Sequence, residues 1–191
     1  IRLSLVGSEM CIRDRDTGIR VESGLTALNS YENRVYQFTD EDKRRYVAKF
    51  YRPQRWSAEQ ILEEYTFALD LKADEVPLAA PLLLQGKTLH QHAGFWFAIF
   101  PSLGGRQYES DNEDQMEAVG RFIGRIHQTA AKGAFHSRPT MGLEEYILQP
   151  LQLLENSPLI PVKLKPLLLA ALERLGKTLQ QCWHTDWRPL R

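Results

Sequence analysis

The stretch RRYVAKFYRP, residues 44–53, sets a lysine, Lys49, inside an apolar run. Tyr46, Val47, Ala48, Phe50 and Tyr51 have the β-branched and aromatic character of a buried strand. A lysine there is either a solvated residue on an open sheet face or a cation placed to meet an anion. The helix-forming segment that follows contains ILEEYTFAL, residues 61–69. On a helical wheel Glu64 falls within the apolar arc, between Leu71 and Ala68, while Glu63 points to the opposite side. A carboxylate on a packed face is costly unless a cation meets it, and Glu63, pointing away, needs no such partner. Further on, FWFAIF, residues 95–100, runs into Pro101 and the Gly104-Gly105 joint. Phosphoryl transfer from a nucleotide needs a cation on the phosphates, held by an ion pair to a helix carboxylate. It also needs backbone groups at a hinge to meet an adenine edge. Alone, Lys49 and Glu64 each read as surface residues; it is the order of lysine, glutamate and hinge that points to this chemistry. No G-x-G-x-x-G loop precedes Lys49, and the turn that would cover phosphates, SYENR at 30–34, has no glycine.

The elements that must position these residues follow from pattern and punctuation. Residues 19–28 predict a first strand, weakened by Gly24; 35–38 and 44–51 predict a hairpin across the charged turn TDEDK. Ser57 and Gln60 have capping-box spacing at the start of a helix whose apolar face is Ile61, Leu62, Tyr65, Ala68, Leu69 and Leu71. Residues 82–85 and 89–92 predict a second hairpin around Gly86-Lys87, and 95–100 a buried strand. After the hinge the pattern is helical. A helix over 113–132 carries Met116, Val119, Phe122, Ile123, Ile126 and Ala130 on one face, with Gly133 as its C-cap. Gly120 and Gly124 on that helix would admit a close neighbour. RPTMGLEEYI, residues 138–147, starts another element, and a last helix over 164–183 turns Leu167, Leu168, Ala171, Leu175 and Leu179 inward.

Other residues with chemical potential carry less. His90 and His92 share a strand face, but no third metal ligand is evident, and an exposed hairpin is the simpler reading. His127 follows the apolar face of its helix and reads as a structural histidine. KRRYVAKFYRPQR, residues 43–55, mixes basic and aromatic residues as nucleic-acid patches do. Against that, Lys plus Arg and Asp plus Glu are both 24 in 191 residues, so the net charge is zero. This balance argues against a general nucleic-acid or membrane binder. No apolar run reaches the roughly 18–20 residues of a membrane span. Cys11 and Cys182 make no metal spacing and no disulfide framework, which suits a reducing cytoplasm. Residues 1–15, IRLSLVGSEMCIRDR, resemble translated sequencing-adaptor read-through; the plain alternative is a disordered tail.

SGLTALNSYENRVYQF, AKFYRP, ILEEYTFAL and GGRQYESDNEDQMEAVGRFIGRIHQT together resemble a family of bacterial stress-response Ser/Thr protein kinases. That family lies within the aminoglycoside phosphotransferase and choline kinase superfamily. The likeness spans nearly the whole chain from Thr17 onward. It implies an α+β, protein-kinase-like, two-lobed fold: a complete small lobe, with an antiparallel sheet of about five strands and one helix, and an incomplete helical lobe. The nucleotide-binding lobe would cover 16–103 and the helical lobe 104–191. By the same resemblance Lys49 would bind the α and β phosphates of ATP and Glu64 would pair with it. Ser30, Tyr31, Glu32 and Asn33 would lie over the phosphates. The hinge would offer the Pro101 carbonyl and the Leu103 N–H to adenine; a proline suffices at 101 because only its carbonyl is needed. The intact protein would use Mg2+ to phosphorylate Ser/Thr of protein substrates, as a cytoplasmic monomer.

The superfamily's catalytic loop resembles H-G-D-x-H-x-x-N, followed by a metal-binding D-x-D, and neither string occurs here. The nearest candidate is HTD at 184–186. Kinase logic puts a metal-binding Asn five residues after the catalytic Asp, and five after Asp186 is Arg191. Asp186 is therefore expected to be an ordinary loop residue, with the true loop beyond Arg191. The 191-residue chain is expected to stop before the catalytic loop, to hold no metal ligands and to be inactive. Two alternatives remain: a small-molecule hydroxyl kinase of the same superfamily, and a non-catalytic nucleotide-binding fragment.

Overall fold

The structure, a computed structural model, describes residues 17–22, 24–105, 107–182 and 191. One antiparallel sheet has the order β1-β2-β3-β5-β4. Its strands are β1 Thr26–Leu28, β2 Arg34–Thr39, β3 Arg45–Phe50, β4 His90–His92 and β5 Phe95–Pro101. Four α-helices accompany it among the described residues: α1 Ala58–Ala73, α2 Glu113–Ala130, α3 Gln149–Glu155 and α4 Lys165–Cys182. A π-helical turn, Glu144–Leu148, leads into α3. The α+β class, the five strands and the single helix beside them are as the sequence predicts.

Side-chain alternation gives the sheet two unlike faces. Phe38, Ala48, Phe50, Phe97 and Ile99 form a buried cluster on one face, closed by Ile19, Val21, Leu25, Leu82 and Leu84. The other face carries Ala98, Tyr51 and Phe100, which pack with Ile61 and Tyr65 of α1 and with Leu89. Lys49 is on this second face, opposite Val35 of β2 and Ala98 of β5. An odd-numbered position in β3 thus faces the helix, while its even neighbours Ala48 and Phe50 are enclosed beneath.

Several expected elements are shorter or turned. Of the strand expected over 19–28, only 26–28 pairs as a strand, and Val21 makes a single bridge to Asp40. Gly24 interrupts it, and Ile19, Val21 and Leu25 pack on the phenylalanine cluster instead. Of the hairpin expected over 82–92, the second arm forms as β4 but pairs with β5, and the first reduces to one bridge between Leu84 and Lys87. The Leu82 N–H donates to the Ile99 carbonyl at 2.8 Å, and the Leu82 and Leu84 side chains cover the same cluster.

The capping box of α1 forms in full. Ser57 Oγ accepts the Gln60 N–H at 3.2 Å, and Gln60 Oε1 accepts the Ser57 N–H at 3.0 Å. Its buried stripe is Ile61, Tyr65 and Leu71, narrower than expected, with Leu62 and Leu69 exposed. In α2, Asn112 caps the first turn by accepting the Gln115 N–H, and Glu113 and Asp114 complement the helix dipole. Its covered side runs through Ala118, Phe122, Ile126 and Thr129, leaving Met116, Val119 and Ile123 exposed. Gly120 and Gly124 have no atom within 4 Å of where a Cβ would sit, so no described neighbour approaches them. The cap is Ala131 in right-handed conformation rather than Gly133.

The chain divides into two compact units, 1–137 with 191, and 138–190. The lobe joint expected after residue 103 lies within the first. In the second, a Cβ on Gly176 of α4 would meet Ile147 of the π-helical turn at 3.0 Å. The covered stripe of α4 is Leu169, Leu172, Gly176 and Leu179. Leu167, Leu168 and Leu175, expected inward, are exposed, because two short elements cover only a narrow strip of the helix. No helix among the described residues is long and apolar enough to cross a membrane.

Candidate functional site

Lys49 and Glu64 come together as their positions on β3 and α1 require. Nζ stands 3.6 Å from Glu64 Oε1, with the two side chains 26% and 41% exposed. That separation makes an ion pair, but it is long for a charge-assisted hydrogen bond, which closes to about 2.7–2.9 Å. An ammonium has three donors, so a carboxylate at this distance orients Lys49 without saturating it. Nζ also lies 4.7 Å from the centre of the Tyr51 ring, a cation–π contact from the same sheet face.

Beneath the pair is a buried tie between the same two elements. Tyr51, next to β3, and Tyr65, in α1, share a hydrogen bond of 2.6 Å between their hydroxyls. Burial pushes the Tyr65 phenol well above its ordinary value, with the neighbouring Tyr51 adding to the rise. Burial likewise raises Tyr51, while Tyr65 and Lys49 oppose it. Both hydroxyls therefore stay protonated, as a shared O–H···O bond requires.

The pair stands in a cavity of about 630 Å³. Leu28, Val35, Val47, Ala68, Leu78 and Phe100 line its apolar walls, and Pro101, Ser102 and Leu103 close the end away from the charges. The segment after β5 is fixed on its sheet side: the Ser102 N–H donates to the Arg45 carbonyl at 3.0 Å, and Gln37 Nε2 donates to Ser102 Oγ at 2.8 Å. Because alternate residues of a strand point their backbone groups to opposite edges, the Pro101 carbonyl turns away from β3. It points to the edge where the Ile99 carbonyl meets Leu82. Of the predicted site residues, Lys49, Glu64, Pro101 and Leu103 thus share one cavity.

Ser30, Tyr31, Glu32 and Asn33 line a separate depression of about 350 Å³ with Phe50, Tyr51, Arg52, Pro53 and Phe95. The depression and the 630 Å³ cavity share no lining residue; Tyr51, whose ring meets the Lys49 ammonium, lines only the depression. Tyr31 is fully exposed. Glu32 is drawn to the segment before α1: Arg55 Nε donates to its Oε1 at 2.7 Å and Trp56 Nε1 at 3.1 Å. The Arg55 hydrogen bond holds the Glu32 carboxyl below its ordinary value; burial opposes it, and the Trp56 hydrogen bond and the Arg55 and Lys49 charges add to the lowering. Asn33 Oδ1 is enclosed and accepts no hydrogen bond among the described residues. Sequence reading missed the roles of Arg55 and Trp56, whose only signal was the aromatic and basic composition around Pro53; it placed Tyr65 on the apolar face of α1 without its bond to Tyr51.

The remaining candidates do not form a site. His90 is buried with its ring 5.4 Å from Phe97, so the exposed-hairpin reading of this residue is corrected. No group of three or more His, Cys, Asp or Glu among the described residues could hold a metal ion. His127 is exposed near the end of α2. Asp186 and residues 1–15 lie outside the described residues.

Comparison with known proteins places this geometry. The pattern of the phosphotransferase enzyme family matches residues 24–190. The chain belongs to the phosphotransferase enzyme family. Among curated relatives of the family, Stress response kinase A of Escherichia coli (strain K12) is 60% identical over 174 residues, covering 91% of this chain and 53% of the relative. Serine/threonine protein kinase RdoA of Salmonella typhimurium (strain LT2) is 58% identical over 176 residues, covering 92% and 54%. The chain spans about half the length of the curated relatives it matches. Among solved structures, amicoumacin kinase hAmiN in complex with AMP-PNP, Ca2+ and Ami superposes with a TM-score of 0.65 at 24% identity, over 86% of this chain and 49% of that one. Spectinomycin phosphotransferase APH(9)-Ia in complex with ADP and spectinomycin gives 0.61 at 13% identity, over 94% and 59%. At these identities the likeness is one of fold, and it is the kinase-like fold of the family.

Proposed function

We propose that the 630 Å³ cavity is an ATP site and that the intact protein is an ATP-dependent phosphotransferase. The observation that carries this reading is the Lys49–Glu64 pair at one end of an apolar cavity whose other end is a backbone hinge. Lys49 neutralises the α and β phosphates and Glu64 keeps its ammonium in place. The apolar walls enclose adenine, and the Pro101 carbonyl with the Leu103 N–H meet its edge. The turn at 30–33 lies over the phosphates; in the chain it stands between Leu28 and Val35, which both line the cavity. The cavity fits a nucleotide in charge and polarity. The described residues do not fit a metal: they hold no ligand cluster, and Glu64 is committed to Lys49. Mg2+ therefore enters as part of the Mg·ATP complex.

For the acceptor, the relative named Serine/threonine protein kinase RdoA supports Ser/Thr of a protein. The solved neighbours, whose names refer to amicoumacin and spectinomycin, favour a small-molecule hydroxyl as the second reading. The sequence contains no H-G-D-x-H-x-x-N, so the 191-residue chain is proposed to bind nucleotide without transferring phosphate. Calorimetric titration of the chain with Mg·ATP, alongside a phosphate-transfer assay on protein and aminoglycoside acceptors, tests both parts. Saturable binding with no transfer is expected. Absence of binding overturns the ATP site, and Lys49-dependent transfer overturns the inactivity.

A further inference from the structure

Glu63 stands one residue before Glu64, about 100° round the helix, and it is not simply solvated. Its Oε1 accepts the backbone N–H of His136 at 2.6 Å, and its Oε2 accepts that of Ser137 at 2.8 Å. Gln60, one turn earlier, donates from Nε2 to the Ser137 carbonyl at 2.9 Å while its Oε1 still caps α1. Phe67 meets Phe135 edge to face, with ring centres 5.9 Å apart. At the end of the helix Asp74 accepts the Thr129 hydroxyl, and the Lys132 ammonium at 2.6 Å. Positions 60, 63, 67 and 74 are spaced i, i+3, i+7 and i+14, which is one stripe of a helix. α1 therefore has two working sides. One presents Glu64 and Tyr65 to the sheet; the other grips the end of α2 and the segment up to Ser137.

We propose that Glu63 is a positioning residue for the Lys49–Glu64 pair. By holding two successive backbone N–H groups it fixes the roll of α1 about its own axis, and so the aim of Glu64. The magnitude matters. A carboxylate about 6 Å from a helix axis moves about 2 Å when the helix rolls by about 20°. Starting from 3.6 Å, such a shift either breaks the pair or closes it onto Lys49, and both change what the ammonium can offer a phosphate. A carboxylate is the group required here because both of its oxygens face N–H donors. Glutamine would turn its own NH2 against one of them, keeping the shape and losing the clamp.

This inference rests on reading Lys49 as the phosphate-binding cation, and a double-mutant cycle separates the two ideas. Mg·ATP affinity is measured by calorimetry for the full chain, Lys49→Ala, Glu63→Gln and the double variant, with unfolding midpoints recorded alongside. Glu63→Gln should weaken binding about fivefold in the native background and leave it nearly unchanged when Lys49 is absent. A residue that only held the fold together would lower the midpoint and shift affinity equally in both backgrounds; that result overturns the proposal, as does unchanged affinity in Glu63→Gln. If the unsubstituted chain binds no Mg·ATP, or Lys49→Ala binds as tightly as it does, the phosphate reading fails first and the inference falls with it. Should Glu63→Gln not fold, Phe67→Leu on the same stripe enters the same cycle, where a loss of about twofold confined to the Lys49 background supports the proposal and any other pattern overturns it.

Discussion

Lys49 is a partly enclosed cation with a carboxylate on one side and an aromatic ring beneath. Removing it by Lys49→Ala should weaken Mg·ATP binding by about tenfold or more, as expected for losing a charged hydrogen bond, and calorimetry reads this directly. The tyrosine tie below it concerns stability. Tyr65→Phe leaves the Tyr51 hydroxyl buried without its partner, which should cost about 1–3 kcal/mol, seen as a lower urea midpoint. Glu32 makes a pH-dependent contribution. Its folded pKa is lowered, chiefly by the Arg55 hydrogen bond, so the stability it adds is full above the ordinary glutamate value of 4.5 and is lost as pH falls through the lowered value. Urea unfolding of the native chain and Glu32→Gln at several pH values should show a gap near neutrality that narrows on acidification. A gap that widens on acidification would sink this account.

At the scale of elements, the features legible in the sequence are those that neighbours in the chain complete. The Ser57–Gln60 box involves residues three apart, and it forms as read. Ser57→Ala should destabilise the chain by about 1 kcal/mol, measured by chemical denaturation, with α1 amides exchanging faster. β3 and β5 are equally legible, since each is a short apolar run bounded by turns. Most of the strand over 19–28 and the first arm of the hairpin over 82–92 were not, because strand pairing depends on what lies alongside. Here the apolar Phe38–Phe50–Phe97 face took Ile19, Val21, Leu82 and Leu84 as its cover. Hydrophobic pattern identifies residues to be buried; it does not state which surface buries them.

For the whole molecule, burial is uneven. Phe97 is completely enclosed, whereas Ile123 on α2 is about half exposed at 47%. Phe97→Ala should cost about 3–5 kcal/mol, while Ile123→Ser should stay within about 0.5 kcal/mol; paired thermal and urea unfolding measurements check the contrast. A large loss in Ile123→Ser would mean that this face is covered in the folded chain. The same unevenness explains why the wheels for α2 and α4 were read too broadly. Apolar residues wrap more of each helix than the described elements cover, so Met116, Val119, Leu167 and Leu175 remain exposed.

The α+β class, the capped helix, the central strands and the meeting of Lys49 with Glu64 are legible in the order of residues alone. Each of these follows from periods of two or 3.6 residues, which are properties of the chain alone. The wheel placed Glu64 toward the sheet, and the order of lysine, glutamate and hinge placed all three around one cavity. Only the tertiary structure decided that Tyr51 and Tyr65 bond beneath them, that Glu32 turns to Arg55 and Trp56, and that Glu63 grips residues 136 and 137. The physical reason is distance along the chain. A helix wheel gives the direction of a side chain, but the partner waiting in that direction, more than seventy residues away for Glu63, is set by how the chain folds back on itself.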